Sequence, residues 1–241
     1  MKKLKAFSLV ETLVAMVIGA ISIAAISYSY IYFNSSYQKI MDKAKMSQAG
    51  RSSVKIIAKD LRNAGYKNIN YTPTWDRWIE KIDAYNGTKG DKLRVWYSTS
   101  AQDRIEISYY LKTNNSGETS LVREIIENPV YSPMKRNCER YDLQINCTPV
   151  TIIKNATDFQ VFFNDKDGNR LNNVNISSTE NQYKVHTAEV YITVRSPSEL
   201  LKNPIMFEML NGGTAGQFTK SDKYLRETFY ISVYLRNVVK L

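Results

Sequence analysis

The sequence holds only two cysteines and one histidine in 241 residues. A cysteine-rich scaffold is thereby excluded, and a zinc site on Cys138 and Cys147 would need ligands beyond the single His186. Prolines are few as well: there are six, and the first is Pro73, so nothing ahead of it breaks a helix outright. Charge is missing over a long interval, since the next charged side chain after Glu11 is Lys39. From Leu13 to Phe33 the 21 residues are apolar, small or aromatic, with three serines. At about 1.5 Å per residue a helix of that length spans roughly 30 Å, the thickness of a bilayer core. A secretory signal has an apolar stretch of only about 7–15 residues ending at a small-residue cleavage site. This run is longer and passes into Tyr28, Tyr30 and Tyr32, which fit an interfacial aromatic belt.

What is present ahead of the run sets its direction. Lys2, Lys3 and Lys5 favour a cytoplasmic N-terminus, so a spanning segment puts the rest of the chain across the membrane. Glu11 is the exception within the apolar stretch, because a carboxylate at mid-bilayer costs on the order of 3 kcal/mol. It reads in two ways. Either it sits at headgroup level in the first helical turn, at the positive end of the helix dipole, or it meets a cation such as the free amine of a trimmed neighbouring copy.

Lys5-Ala6-Phe7-Ser8-Leu9-Val10-Glu11-Thr12-Leu13 resembles the processing signal of type IV prepilins and type II secretion pseudopilins. The resemblance implies a leader of residues 1–6, cut by prepilin peptidase between Ala6 and Phe7. It implies N-methylation of Phe7, and Glu11 as the residue that aids assembly. The departure from the family pattern is Ala6, where glycine is usual. A second stretch, Ile57-Ala58-Lys59-Asp60-Leu61-Arg62-Asn63-Ala64-Gly65-Tyr66, is similar to the helix end of PilW-type minor pilins, and its first half to that of J-type pseudopilins. The ending Thr228-Phe229-Tyr230-Ile231-Ser232-Val233-Tyr234-Leu235-Arg236-Asn237 is similar to PilW-type chains again. The family implies a minor subunit that initiates, primes or caps a filament, anchored by a single pass in a bacterial inner membrane with its domain in the periplasm, then carried to the filament tip. Its implied partners are the peptidase, other pilins or pseudopilins, and the membrane.

The order of elements points to α+β. One helix is expected over 7–64, about 87 Å long, with its transmembrane part at about 12–33 and a β-rich pilin-like domain over 65–241. After Phe33, Tyr37, Ile40, Met41 and Ala44, and then Val54, Ile57, Ala58 and Leu61, recur at spacings of three and four. Gly50 is a candidate bend, and Gly65 is a helix stop. Asp60 and Arg62, with Gly65 and Tyr66, form the expected junction of helix and sheet. Residues 66–91 read as loop, with Trp75, Trp78 and Ile79 either plugging the local core or contacting a partner. Strands are expected at Leu93–Thr99, Arg104–Lys112, Ser120–Ile126, Val150–Ile153, Phe159–Phe163, Val185–Arg195 and Thr228–Leu235. Asn114 to Gly117 supplies a hairpin turn, and an antiparallel sheet packed on the helix follows.

Chemistry finds little purchase. His186 has no nucleophile motif beside it, so the chain reads as a non-enzyme without cofactor or metal. Asn211 to Gly216 is glycine-rich but lacks the Gly-Lys-Ser/Thr of a phosphate loop. Asp165-Lys166-Asp167-Gly168-Asn169 makes a turn, with no glutamate at the distal ligand place of a calcium loop. Asn86, Asn114, Asn155 and Asn175 match a glycosylation pattern that is common by chance. Cys138 and Cys147 lie in an oxidising compartment if the domain is exported, and a disulfide there closes a loop worth roughly 2.7 kcal/mol. The net charge of +10 falls to +7 without the leader, a surplus that attracts anionic surfaces nonspecifically. Lys135, Arg136 and Arg140 near Cys138, with Tyr141, form a candidate DNA contact. The competing function is a membrane-tethered periplasmic binding or adhesion module that never polymerises.

Overall fold

The computed structural model describes residues 8–67, 78–83, 90–98, 104–127, 149–171, 182–209 and 218–238. The chain divides into two compact units, Met1–Ala44 and Lys45–Leu241. Helix α1 runs over Leu9–Asn63 without interruption at Gly50. In the first unit its large apolar side chains stand in the open, from Leu9 through Phe33 to Tyr37 and Ile40. The helix is long and apolar enough there to cross a membrane.

In the second unit the helix turns one face inward. Met46, Gly50, Ser53, Val54, Ile57, Ala58 and Leu61 are buried, the three-and-four spacing of an amphipathic helix. The helix continues through Gly50, which is a point of close approach. A Cβ built there would lie 2.1 Å from the Phe229 ring. Gly65 ends the helix in the left-handed region, at φ 74°, as a C-terminal glycine should.

Eleven strands are present among the described residues. β1 (Ile79–Ile82), β2 (Lys92–Ser98), β3 (Arg104–Thr113), β4 (Thr119–Glu127) and β5 (Val150–Lys154) form a five-stranded antiparallel meander in that order. β6 (Ala156–Asn164), β7 (Arg170–Leu171), β8 (Thr187–Glu199) and β11 (Tyr224–Tyr234) form a second sheet in the order β11-β8-β6-β7. β9 (Ile205–Met209) and β10 (Phe218–Asp222) make a separate two-stranded ribbon. The turn between β3 and β4 is closed by Asn114, whose carbonyl accepts from Gly117 N at 3.0 Å, with Gly117 at φ 79°.

Four strands were not anticipated. β1 lies in the stretch read as loop, where Trp78 and Ile79 are both buried in the core. β7 has only two residues, and β9 and β10, with sequences IMFEM and FTKSD, do not alternate with a period of two. The five strands of the first sheet send Ile79, Leu93, Val95, Ile107, Tyr109, Leu111, Leu121 and Ile153 into one core with Phe159, Val161, Phe163, Val190 and Ile192 of the second.

Asp91 ties the two sheets. Its N–H donates to Phe159 O at 2.8 Å, and its carboxylate accepts from Val161 N at 2.9 Å. One side chain thus supplies the acceptor that a neighbouring strand would otherwise provide along the edge of β6.

Candidate functional site

The start of α1 is set by Ser8 and Glu11. Ser8 N donates to Glu11 Oε2 at 3.0 Å, and Glu11 N donates to Ser8 Oγ at 3.3 Å. This is a capping box: two donors with no partner inside the helix are satisfied reciprocally. Within the single chain, therefore, the Glu11 carboxylate is held by its own helix start, where the dipole also favours its charge. Beyond it the exposed apolar side chains give the helix a surface suited to lipid or to like helices.

The helix–sheet junction rests on Asp60. Its Oδ2 accepts from the Tyr109 hydroxyl and from Arg123 Nε at 2.8 Å, and Arg123 Nε also donates to Tyr109 Oη at 3.0 Å. Asp60 is buried and Arg123 is 23% exposed, so the pair is shielded enough for its geometry to matter. Burial and the adjacent Asp60 push the Tyr109 phenol well above its usual range, so it remains a donor.

Arg62 departs from the expected role. Its side chain is exposed, and its contribution to the junction is its carbonyl, which accepts from Asn237 Nδ2 at 3.1 Å. A Cβ on Gly65 would stand 2.8 Å from Asn237 O, and Gly65 N donates to Trp96 O at 2.9 Å. Tyr66 is half exposed and bonds Ser98 N through its carbonyl at 2.9 Å. The helix end, β2 and the turn that follows β11 meet at one place.

A family model for the prokaryotic N-terminal methylation motif matches residues 1–27. A type IV-like pilin from Thermus thermophilus is similar in fold, with a TM-score of 0.51 and 11% identity over 81% of this chain and 100% of that one. The chain carries a prepilin methylation motif and a type IV pilin-like fold. No curated protein matches its sequence. The motif implies processing by the peptidase and association with other pilins, and the apolar N-terminal helix fits anchorage in the inner membrane.

Ala6 and Phe7 of this pilin-like chain lie outside the described residues, as do Cys138, Cys147, Lys135, Arg136, Arg140, Tyr141 and the glycine-rich stretch 211–216. His186 is built into the sheet: its N–H donates to Asn164 O and its carbonyl accepts from Leu235 N, both at 2.9 Å. Asp165 is turned inward on its own loop, accepting from Asp167 N at 2.9 Å and Asn169 N at 2.8 Å. Among the described residues no group of three His, Cys, Asp or Glu side chains could hold a metal.

One polar array escaped the sequence reading. Lys92, Arg94 and Trp96 alternate with core residues along β2 and look solvent-facing, yet all three are buried. Arg94 Nη1 lies 3.0 Å from Glu80 and its Nε 3.4 Å from Glu106, while Lys92 Nζ lies 3.9 Å from Glu124. Burial first, and then Arg94, lowers the Lys92 ammonium to about 8, and burial raises the Glu124 carboxyl. The signal that distinguishes this face from an exposed one is the mixture of both charge signs on paired strands.

Proposed function

We propose that the chain is a minor pilin or pseudopilin, PilW-like and related to J-type pseudopilins. It is cut between Ala6 and Phe7, methylated on Phe7, and takes part in initiating, priming or capping a type IV pilus or type II secretion-like filament, at or near the tip. Its work is packing rather than catalysis. The apolar helix leaves the membrane to pack among like helices, and the sheet domain selects neighbours. Glu11 serves entry into the filament by exchanging its hold on Ser8 for a cation of a neighbouring subunit.

The observation that carries this reading is the methylation motif at residues 1–27 leading directly into an exposed apolar helix. The minor-subunit reading is supported by a meeting in space: the two stretches that resemble PilW-type chains join where Asn237 holds Arg62 O and crowds Gly65. Mass spectrometry of the mature N-terminus tests the proposal. A chain beginning at methylated Phe7 is expected, and a retained Met1 in cells with active peptidase sinks it.

A further inference from the structure

Between Lys45 and Asn63 the helix carries Lys45, Arg51, Lys55, Lys59 and Arg62, and a single acid, Asp60. The acid is turned into the core and held by Arg123. All five cations are exposed. Among the described residues none of the five makes an ion pair. At about 100° per residue, Arg51, Lys55, Lys59 and Arg62 fall within roughly 80° of one another, in a row centred about 130° round the helix from the buried Gly50, Val54, Ile57 and Leu61. Ile56, 40% exposed, stands at the rim of the row.

We infer that this ridge is the docking face for a different subunit, one that presents acidic side chains along a helix at matching spacings of three and four. The inference rests on the assembly reading above and deepens it by assigning the partner. Charge complementarity selects the occupant, because a run of cations with no acid among them attracts an acidic helix. It also rejects one: a second copy of this chain would bring an identical row of cations to the same face, and like charges at such spacing repel. Ile56 supplies apolar contact beside the charges, which a helix uses and a phosphate backbone does not. The chain is therefore built to sit next to unlike neighbours and against stacking on itself by this face.

The test places a photoreactive amino acid at Ile56 of the full-length chain in its own cells, with the linked peptide identified by mass spectrometry. The expected adduct is to a different polypeptide whose linked segment is helical and carries acids three and four residues apart. Its yield falls about tenfold or more when Arg51, Lys55, Lys59 and Arg62 are all changed to glutamate, and it returns when the partner's acids are changed to lysine. A milder variant with the four changed to glutamine gives an intermediate yield and guards against a folding defect, which far-ultraviolet circular dichroism would register. An adduct to a second copy, to lipid or to nuclease-sensitive material overturns the inference. So does no adduct, or a yield indifferent to charge. Should the mature chain begin with methylated Phe7 while any of these overturning results is found, the pilin reading stands and only the acidic partner falls.

Discussion

Asp60 shows how one carboxylate fixes a helix on a sheet. It takes a phenol and a guanidinium at a single oxygen, Oδ2, and both donors touch each other. Removing the acceptor strands Arg123 and Tyr109 in a shielded place, whereas removing the phenol alone leaves the ion pair intact. Asp60→Ala is thus expected to cost about 2–4 kcal/mol in urea unfolding, and Tyr109→Phe about 1 kcal/mol. The double variant should lose less than the sum, because the phenol has nothing to donate to once Asp60 is gone. Strict additivity of the two would remove Asp60 as the acceptor that joins them. Arg62, its neighbour two positions on, contributes through its backbone only. Sequence similarity singled out both residues, but only burial separates them. That distinction is not written in a helical stretch where every third or fourth residue is charged.

Elements show where local rules hold and where packing overrides them. Helical periodicity announced the stripe Val54, Ile57, Ala58 and Leu61, and the alternation of Ile105, Ile107, Tyr109 and Leu111 announced β3. The meaning of Gly50 was not legible, because a glycine in a helix looks alike whether it bends the chain or admits a ring from a distant strand. Propensity alone says that alanine stabilises a helix over glycine by about 1 kcal/mol. At Gly50 the order should reverse, since the new methyl would meet Phe229 and overpacking costs roughly 1–3 kcal/mol. Gly19→Ala, with nothing within 4 Å, is the control that keeps the ordinary sign. Thermal unfolding of Gly50→Ala with and without Phe229→Leu measures the conflict, and failure of the smaller side chain to restore stability would argue for another cause.

The edge of β6 carries a second conflict of this kind. Asp158 is buried, bonded by Gln160 Nε2 at 2.8 Å, and near Asp91. Burial chiefly, with Asp91 adding to it against the Gln160 bond, raises its carboxyl to about 7. The folded chain then holds this proton where the unfolded chain has lost it. The contribution to stability is complete below the ordinary carboxylate pKa near 4 and disappears as pH rises through about 7. Asp158→Asn should flatten that decline between pH 4 and 7 in denaturant titrations. An unchanged slope would mean that the proton is held elsewhere.

At the scale of the whole molecule the informative boundary is the one inside the helix. Sequence pattern placed a division after Ala64, where the helical period stops and strands begin. The compact unit starts at Lys45, because Ile57, Leu61 and Ala64 are fully buried with the strands and belong to their core. A change of secondary structure is visible in a sequence. The amphipathic stripe likewise announces that the helix lies on the sheet, but where along the helix the shared core begins depends on which apolar residues find a partner. In the first unit Leu13, Ile18, Ile26 and Phe33 are exposed among the described residues, and such a surface needs lipid or other helices to cover it. Two truncations separate these views. A fragment from Lys45 to Leu241 keeps the whole buried cluster and is expected to be soluble, with a cooperative unfolding transition. A fragment from Gly65 to Leu241 loses Met46, Val54, Ile57, Ala58 and Leu61 and the carboxylate that Arg123 and Tyr109 share. It leaves an apolar trough where the helix lay, and is expected to aggregate or to bind a hydrophobic dye without a cooperative transition. If the shorter fragment unfolds as cooperatively and at the same midpoint as the longer one, the helix segment from Lys45 is an ornament on the domain rather than one wall of its core.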